Sequence, residues 1–326
     1  MASDLTSLTV IHEPKALVLP PQPGLIAAAG PAAGFAWDEF FSGQIRNRHT
    51  RAAYLYAVRQ FLKWAEPHAA TIDRITPGMV GRYFDQHPSS VPTKKLHLSA
   101  IRAFFDVLVN RHVVILNPAA TVRGERYQAV EGKTPEISRD QARILLASID
   151  TSRAVGRRDK AIIASLIYTA TRAGAVAGLR IRDFTSDGTQ YSLRFHEKGG
   201  KSRSIPVRHD LQGFLLAYLE SFAWQAEPAD APLFRSVAGR TGELTGRPIP
   251  ALDICRILKR RLRAAELPAN LSPHSFRVAT LTDLLLQGVP LEDAQYLAGH
   301  ADPRSTRLYD RRQRQVTRNT VERISI

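Results

Sequence analysis

From Trp37 onward, apolar residues recur at the spacing of amphipathic helices. Between Arg51 and Glu66, the side chains of Tyr54, Val58, Phe61, Leu62 and Ala65 fall on one stripe, three or four residues apart. Arg46, Arg48, Arg51, Arg59 and Lys63 occupy the other side. Pro77 opens a short helix through Tyr83 and Phe84, and Thr93 suits the cap of a helix carrying Ile101, Phe104, Phe105 and Leu108. Asn117-Pro118 breaks that pattern. Residues 35–120 therefore predict an all-helical, basic domain. Before them, residues 1–34 hold no helical or strand period. Pro14, Pro20, Pro21, Pro23 and Pro31, with Gly24, Gly30 and Gly34, predict an extended, partly disordered arm.

Residues 121–134 are polar, contain Gly124 and Gly132, and predict a linker. A capping pair, Ser138 and Gln141, then opens a helix with Ile144, Leu145 and Ile149. The apolar run Ala161 to Ile167 predicts a buried helix over Arg158–Tyr168. After the turn signal Asp187-Gly188, Tyr191, Leu193 and Phe195 alternate with polar residues as in a strand. Lys198-Gly-Gly-Lys201 reads as a turn into a second short strand, Ser204–Val207. Helices follow over Leu211–Phe222, Ile254–Ala265, Phe276–Leu286 and Leu291–Leu297. The fold class expected is mainly α, with residues 135–326 forming an α-rich domain around a small antiparallel β-sheet. No internal repeat is visible.

Charge narrows the partner. Lys and Arg total 45 against 30 Asp and Glu, a net +15, with a pI near 10.3. The basic residues are spread along the chain, which favours folded domains binding a polyanion, most simply nucleic acid. No apolar run reaches the roughly 18–20 residues of a membrane helix, and Met1–Leu19 lacks the layout of a signal peptide. The single cysteine, Cys255, excludes an intramolecular disulfide and is expected to be a buried small hydrophobe. A cytoplasmic setting suits this composition. There is no phosphate-binding Gly-x4-Gly-Lys-Ser/Thr loop, no clustered His and Cys for zinc, and no carboxylate trio for a pair of magnesium ions. No cofactor is expected, so chemistry on a phosphate would have to use side-chain cations.

Two segments carry such side chains. In Leu271-Ser-Pro-His274-Ser-Phe-Arg277, Ser272 and Pro273 favour a helix start, and His274 and Arg277 share one face, a corner suited to phosphate. By itself this is equally a solvated basic helix start. In Leu297-Ala-Gly-His300, followed by Asp302-Pro303 and Tyr309, Asp302 suits an N-cap and Pro303 the first helical position. Tyr309 would then lie in the second turn of a short helix among Arg304, Arg307, Arg311 and Arg312. Alone, it reads as an amphipathic tyrosine on a basic surface helix.

Together the two segments resemble the carboxyl-terminal box of the tyrosine recombinase (phage integrase) family: His-x-x-Arg, then Leu-Gly-His or Trp, then a nucleophilic Tyr nine residues on. The family's first box, Tyr-x-Thr-Gly-x-Arg followed by Gly-Leu and an Asp, is matched by Tyr168-Thr-Ala-Thr-Arg172, Gly178-Leu179 and Asp183. Its lysine turn is matched by Lys198-Gly-Gly-Lys201-Ser-Arg203-Ser-Ile-Pro206. The likeness spans about 37–312. It departs at Arg172: the approach from Tyr168 is one residue short, and Gly174-Ala175 replaces a Ser-Glu pair, so an acidic support for Arg172 must come from elsewhere or be missing.

The resemblance implies a helical core-binding domain over 35–120 that helps clamp double-stranded DNA, and a catalytic domain over 135–326. It implies a site-specific recombinase that cuts and rejoins DNA through a 3′-phosphotyrosyl ester, needing neither ATP nor metal. Tyr309 would be the nucleophile, Arg172 and Arg277 the phosphate clamps, and His300 a further donor. His274 would serve proton transfer or hold the phosphate, and Lys198, preferred over Lys201, would protonate the leaving oxygen. His196, beside the turn, reads as an ordinary strand residue. In the tail Asp310–Ile326, Val316, Val321, Ile324 and Ile326 would dock on a neighbouring subunit in a homo-tetramer on DNA, the alternative being packing within the chain or fraying. The alternatives are a type IB topoisomerase-like enzyme and a non-catalytic DNA-binding protein of the same fold.

Overall fold

The computed structural model describes residues 21–126, 134–196, 202–239 and 241–310. Contacts divide the chain into two units, Met1–Gln128 and Ala129–Ile326.

The first unit is helical. It comprises α1 (Gly24–Ala28), α2 (Pro31–Asp38), α3 (Arg48–Ala65), α4 (Pro77–Gln86) and α5 (Val91–Asn110). Its core gathers the stripes read from the sequence: Val58, Phe61 and Leu62 of α3 meet Ile101, Phe104 and Phe105 of α5. A π-helical turn, Glu39–Gln44, follows α2, and the adjacent Phe40 and Phe41 both reach the core there. The expected arm is corrected in part. Residues 24–28 and 31–38 are helical rather than extended, because Leu25, Ile26, Ala33 and Ala36 are buried against this core. Pro31 occupies the first turn of α2, where its missing N–H costs nothing, and Gly30, at φ 86°, turns the chain between the helices. Tertiary packing thus overrides the Pro- and Gly-rich composition. Ser90 rather than Thr93 precedes α5.

The second unit begins with α6 (Arg139–Ala147), opened by the expected capping box: Ser138 Oγ accepts from Gln141 N at 3.1 Å, and Gln141 Oε1 accepts from Ser138 N at 3.0 Å. The long α7 (Ala154–Thr169) is buried along most of its length. Gly156 is obligatory in it, since a Cβ there would fall 1.7 Å from the carbonyl oxygen of Asp150. After α8 (Ala173–Ala177) come β1 (Phe184–Ser186), β2 (Tyr191–His196) and β3 (Ser202–Pro206), an antiparallel sheet in that order. Leu193 pairs with Ile205, and both are buried. Residues 197–201, with Lys198 and Lys201, lie outside the described residues, as do 127–133 of the linker, residues 1–20 and the tail from 311.

The remainder is α9 (His209–Leu219), a hairpin of β4 (Arg235–Val237) and β5 (Leu244–Pro248), then α10 (Ala251–Ala264), α11 (Pro273–Leu286), α12 (Leu291–Ala298) and α13 (Pro303–Arg307). The sequence pattern misses the β4–β5 hairpin and β1. β1 and β4 are only three residues long, and a register shift interrupts β4, so no period can develop. Cys255 is half-buried rather than buried, because it lies at the edge of the α10 face formed by Ile254 and Leu258. None of the helices among the described residues is long and apolar enough to cross a membrane.

Candidate active site

The site forms where three chain segments end or begin. The first is the end of α7. Ala170 stops that helix in a left-handed conformation, φ 48° and ψ 27°, and Arg172 becomes the cap residue of α8. The second is the start of α11, where Ser272 caps and Pro273 leads, as the sequence pattern predicts. The third is the exit from α12. Gly299, at φ 61°, ends the helix and turns the chain to His300, a conformation that favours glycine. His300 is then held by Gln295: its N–H donates to the Gln295 carbonyl at 3.2 Å, and Gln295 Nε2 donates to the His300 carbonyl at 2.9 Å. Asp302 caps α13 through its side chain, accepting from Arg304 N at 2.9 Å.

Tyr309 departs from the sequence expectation in two ways. It lies just past α13, its N–H donating to the Thr306 carbonyl at 3.0 Å, rather than in a second helical turn. It is also not a surface residue. Only 8% exposed, it packs with Ala170, Val278, Leu281, Leu285, Ala294 and Ala298 in an apolar cluster of its own. Its hydroxyl sits 3.3 Å from Nε2 of His274. The His300 ring lies parallel to the phenol, 5.9 Å between centroids and 3° between planes.

Arg277 is 1% exposed. Its Nη1 donates to the Ala170 carbonyl at 2.6 Å, a favourable use of a cation at a helix C-terminus. Its Nε and Nη2 are buried and have no hydrogen-bond partner. Burial, then the charge of Arg172, lowers the Arg277 pKa to about 10. The same surroundings act on the histidines. Burial, then Arg277 and Arg172, lower the His300 pKa to about 3, so the ring is neutral. His274 is open to solvent on one side, yet lost ring hydration, then Arg277 and Arg172, lower its pKa also. Arg172 itself is exposed, and among the described residues no carboxylate pairs with it. Beside it, where the family pattern has Glu, Ala175 lines a hollow with Gly174, Gly178, Leu179 and His196. His196 ends β2 and shares a hydrogen bond with the buried Asp183 at 2.9 Å.

The structure thus brings Arg172, His274, Arg277, His300 and Tyr309 together. It adds a residue that the sequence pattern contained without a role. Arg203, on β3, donates from Nη2 to Thr171 Oγ1 at 3.0 Å and from Nη1 to the Leu297 carbonyl. It therefore ties the Arg172 segment to the end of α12. Its spacing ahead of Pro206 was the only signal for it. Thr306, which contacts His300, carries no sequence signal at all.

What this arrangement can do chemically is hold an anion. Concentrated cationic donors, two of them buried and unpaired, call for hydrogen-bond acceptors. A phosphate placed there would face the Tyr309 hydroxyl.

Known proteins share this architecture. Residues 136–315 match the model of the phage integrase family, and residues 37–112 match the phage integrase N-terminal SAM-like domain. Tyrosine recombinase XerC of Pelobacter propionicus is 29% identical over 267 residues, covering 80% of this chain and 84% of that protein. Among solved structures, the XerH site-specific recombinase bound to palindromic difH substrate in a post-cleavage complex superposes with a TM-score of 0.65. That likeness has 19% identity and covers 79% of this chain and 75% of that one. A lambda integrase tetramer bound to a Holliday junction superposes with a TM-score of 0.59 at 16% identity, covering 86% and 77%.

Proposed function

The chain belongs to the phage integrase family and is a site-specific tyrosine recombinase, and we propose that Tyr309 is its nucleophile, served by Arg172, Arg277, His274, His300 and Lys198. The observation that carries this is the hydroxyl of the buried Tyr309, 3.3 Å from His274 and near an Arg277 with two unpartnered buried donors.

In the reaction, Tyr309 Oη attacks the scissile phosphorus and its proton passes to His274 Nε2, whose lowered pKa leaves the ring neutral and its lone pair free. Negative charge builds on the non-bridging oxygens. Arg277 receives it through Nε and Nη2, Arg172 through its exposed guanidinium, and His300 through Nε2–H. Preorganised donors of this kind are worth roughly 10²–10³ in rate each. The P–O5′ bond breaks as Lys198 delivers a proton to O5′, leaving a 3′-phosphotyrosyl ester. That ester retains the energy of the phosphodiester, so a 5′-hydroxyl can reverse the steps and rejoin the strand without ATP. Both units bind duplex DNA largely through phosphates, in keeping with the net charge of +15, and binding weakens steeply with salt. The protein works in the cytoplasm as a homo-tetramer on DNA, with the tail from 311 docked on a neighbouring subunit. The lambda integrase tetramer supports that assembly.

The test is a nicked suicide duplex followed by denaturing electrophoresis. Wild type accumulates a covalent adduct, and Tyr309→Phe forms none. An adduct that persists in Tyr309→Phe rejects the assignment. Lys198→Ala should block cleavage where Lys201→Ala does not; the reverse result moves the acid to Lys201.

A further inference from the structure

Thr306 touches a ring of the site, His300, whose proton location decides its use. It lies in α13, fully buried, with Oγ1 2.8 Å from Nδ1 of His300. A threonine hydroxyl has one hydrogen to donate, and away from water that hydrogen needs an acceptor. Among the described residues, the contact with His300 Nδ1 is the only hydrogen bond that Oγ1 makes. The hydroxyl therefore donates to Nδ1. A nitrogen that accepts this bond holds a lone pair, and in a neutral imidazole the ring proton must then sit on Nε2. The ring is neutral, because burial and the surrounding cations hold its pKa far below the usual range. The same residue reaches the nucleophile, since its carbonyl accepts from the Tyr309 N–H at 3.0 Å.

We infer that Thr306 is a positioning residue for DNA cleavage: its hydroxyl fixes His300 as the Nε2–H tautomer, turning that ring into a hydrogen-bond donor toward the scissile phosphate. This rests on the reading of His300 as a phosphate donor. Thr306 never touches DNA in this scheme and acts only through the ring. Nδ1–H would instead point at the threonine and leave Nε2 a lone pair facing a phosphate oxygen, a repulsive contact.

The experiment has two parts on the full-length protein. The first is nitrogen NMR of protein labelled with ¹⁵N-histidine, the His300 signal being assigned by its loss in His300→Gln. An unprotonated Nδ1 with a protonated Nε2 supports the inference, and an Nδ1–H tautomer overturns it whatever the activity. The second is single-turnover cleavage of the nicked duplex. Thr306→Val, of matched shape, should lose about tenfold, the worth of one hydrogen bond, while Thr306→Ser recovers most of the rate. In a His300→Gln background, Thr306→Val should cost nothing further. Losses that simply add show that Thr306 acts on packing and overturn the role. If His300→Gln itself cleaves at the wild-type rate, the phosphate-donor reading fails and the positioning role falls with it, whereas the NMR result still reports the tautomer.

Discussion

The two ends of α7 each meet a buried arginine, and the two are treated differently. Near the N-terminal end, Arg158 donates to Asp159 Oδ1 from Nε at 3.2 Å and Nη2 at 2.8 Å, and to the Arg235 carbonyl at 2.9 Å from Nη1. Asp159, fully buried, also receives Arg260 and Arg261 of α10 on its other oxygen, at 2.9 and 2.7 Å. At the C-terminal end, Arg277 is equally buried but meets no carboxylate: Nη1 donates to the Ala170 carbonyl, Tyr309 lies close by, and Nε and Nη2 have no hydrogen-bond partner. One cluster is complete within the protein and clips α7 to α10. The other lacks an anion, and the nearest charges are cations. A buried guanidinium left unsatisfied costs stability that packing elsewhere must offset. The contrast separates an arginine that holds the fold from one that waits for substrate.

The sharpest test of that contrast removes the carboxylate. Asp159→Asn strands Arg158, Arg260 and Arg261 without their charge partner and should lower unfolding stability by about 3–5 kcal/mol. Protein kept folded at low temperature should still cleave within a few-fold of wild type. Urea unfolding and the nicked-duplex assay read the two quantities. Arg277→Met should do the opposite. Cleavage falls about 10²–10³-fold, while stability stays level or rises, because an apolar chain of similar length replaces an unpaired buried charge. An Arg277→Met protein as unstable as Asp159→Asn would erase the distinction.

Acid probes the same difference more gently. His300 is held at a pKa of about 3 when folded, against an ordinary value of 6.5 when unfolded. Its neutral form is thus the folded form. The stability linked to it is present above pH 6.5 and is lost progressively as pH falls from 6.5 toward 3, where the unfolded chain binds the extra proton. The denaturation midpoint should drop across that window, and the drop should shrink in His300→Gln. Ala170→Gly is the smallest effect expected. Ala170 sits at φ 48°, which glycine adopts without strain, so the change should add about 0.5–1 kcal/mol in thermal unfolding. A loss instead would mean that the alanine methyl, packed beside Tyr309, matters more than the backbone strain.

Much of this was legible from local pattern. The period of Tyr54, Val58, Phe61 and Leu62 gave α3, and the Ser138–Gln141 pair gave the start of α6, because both signals lie within a turn or two of chain. His274 and Arg277 were one turn apart on a capped helix, and Gly299 ahead of His300 marked a helix stop. The failures were non-local. The composition of residues 24–34 pointed to an extended arm, yet contacts with α3 and α5 side chains in the core make most of it helical. Tyr309 among arginines read as exposed, yet Ala170 and residues of α11 and α12 enclose it. Arg203 and Thr306 gained roles only from partners distant in the fold or hidden inside it.

The sequence by itself thus determined which cations, histidines and tyrosine this protein owns, their order, and which of them share a helical turn, since those depend on residue identity and short-range geometry. Tertiary structure alone decided which arginine is satisfied and which is not. Arg277 meets the carbonyl of a residue 107 positions away, and Arg158 differs from it only in having a carboxylate within reach. Local periodicity says that a side chain is buried, but the partner it finds there depends on how distant segments pack.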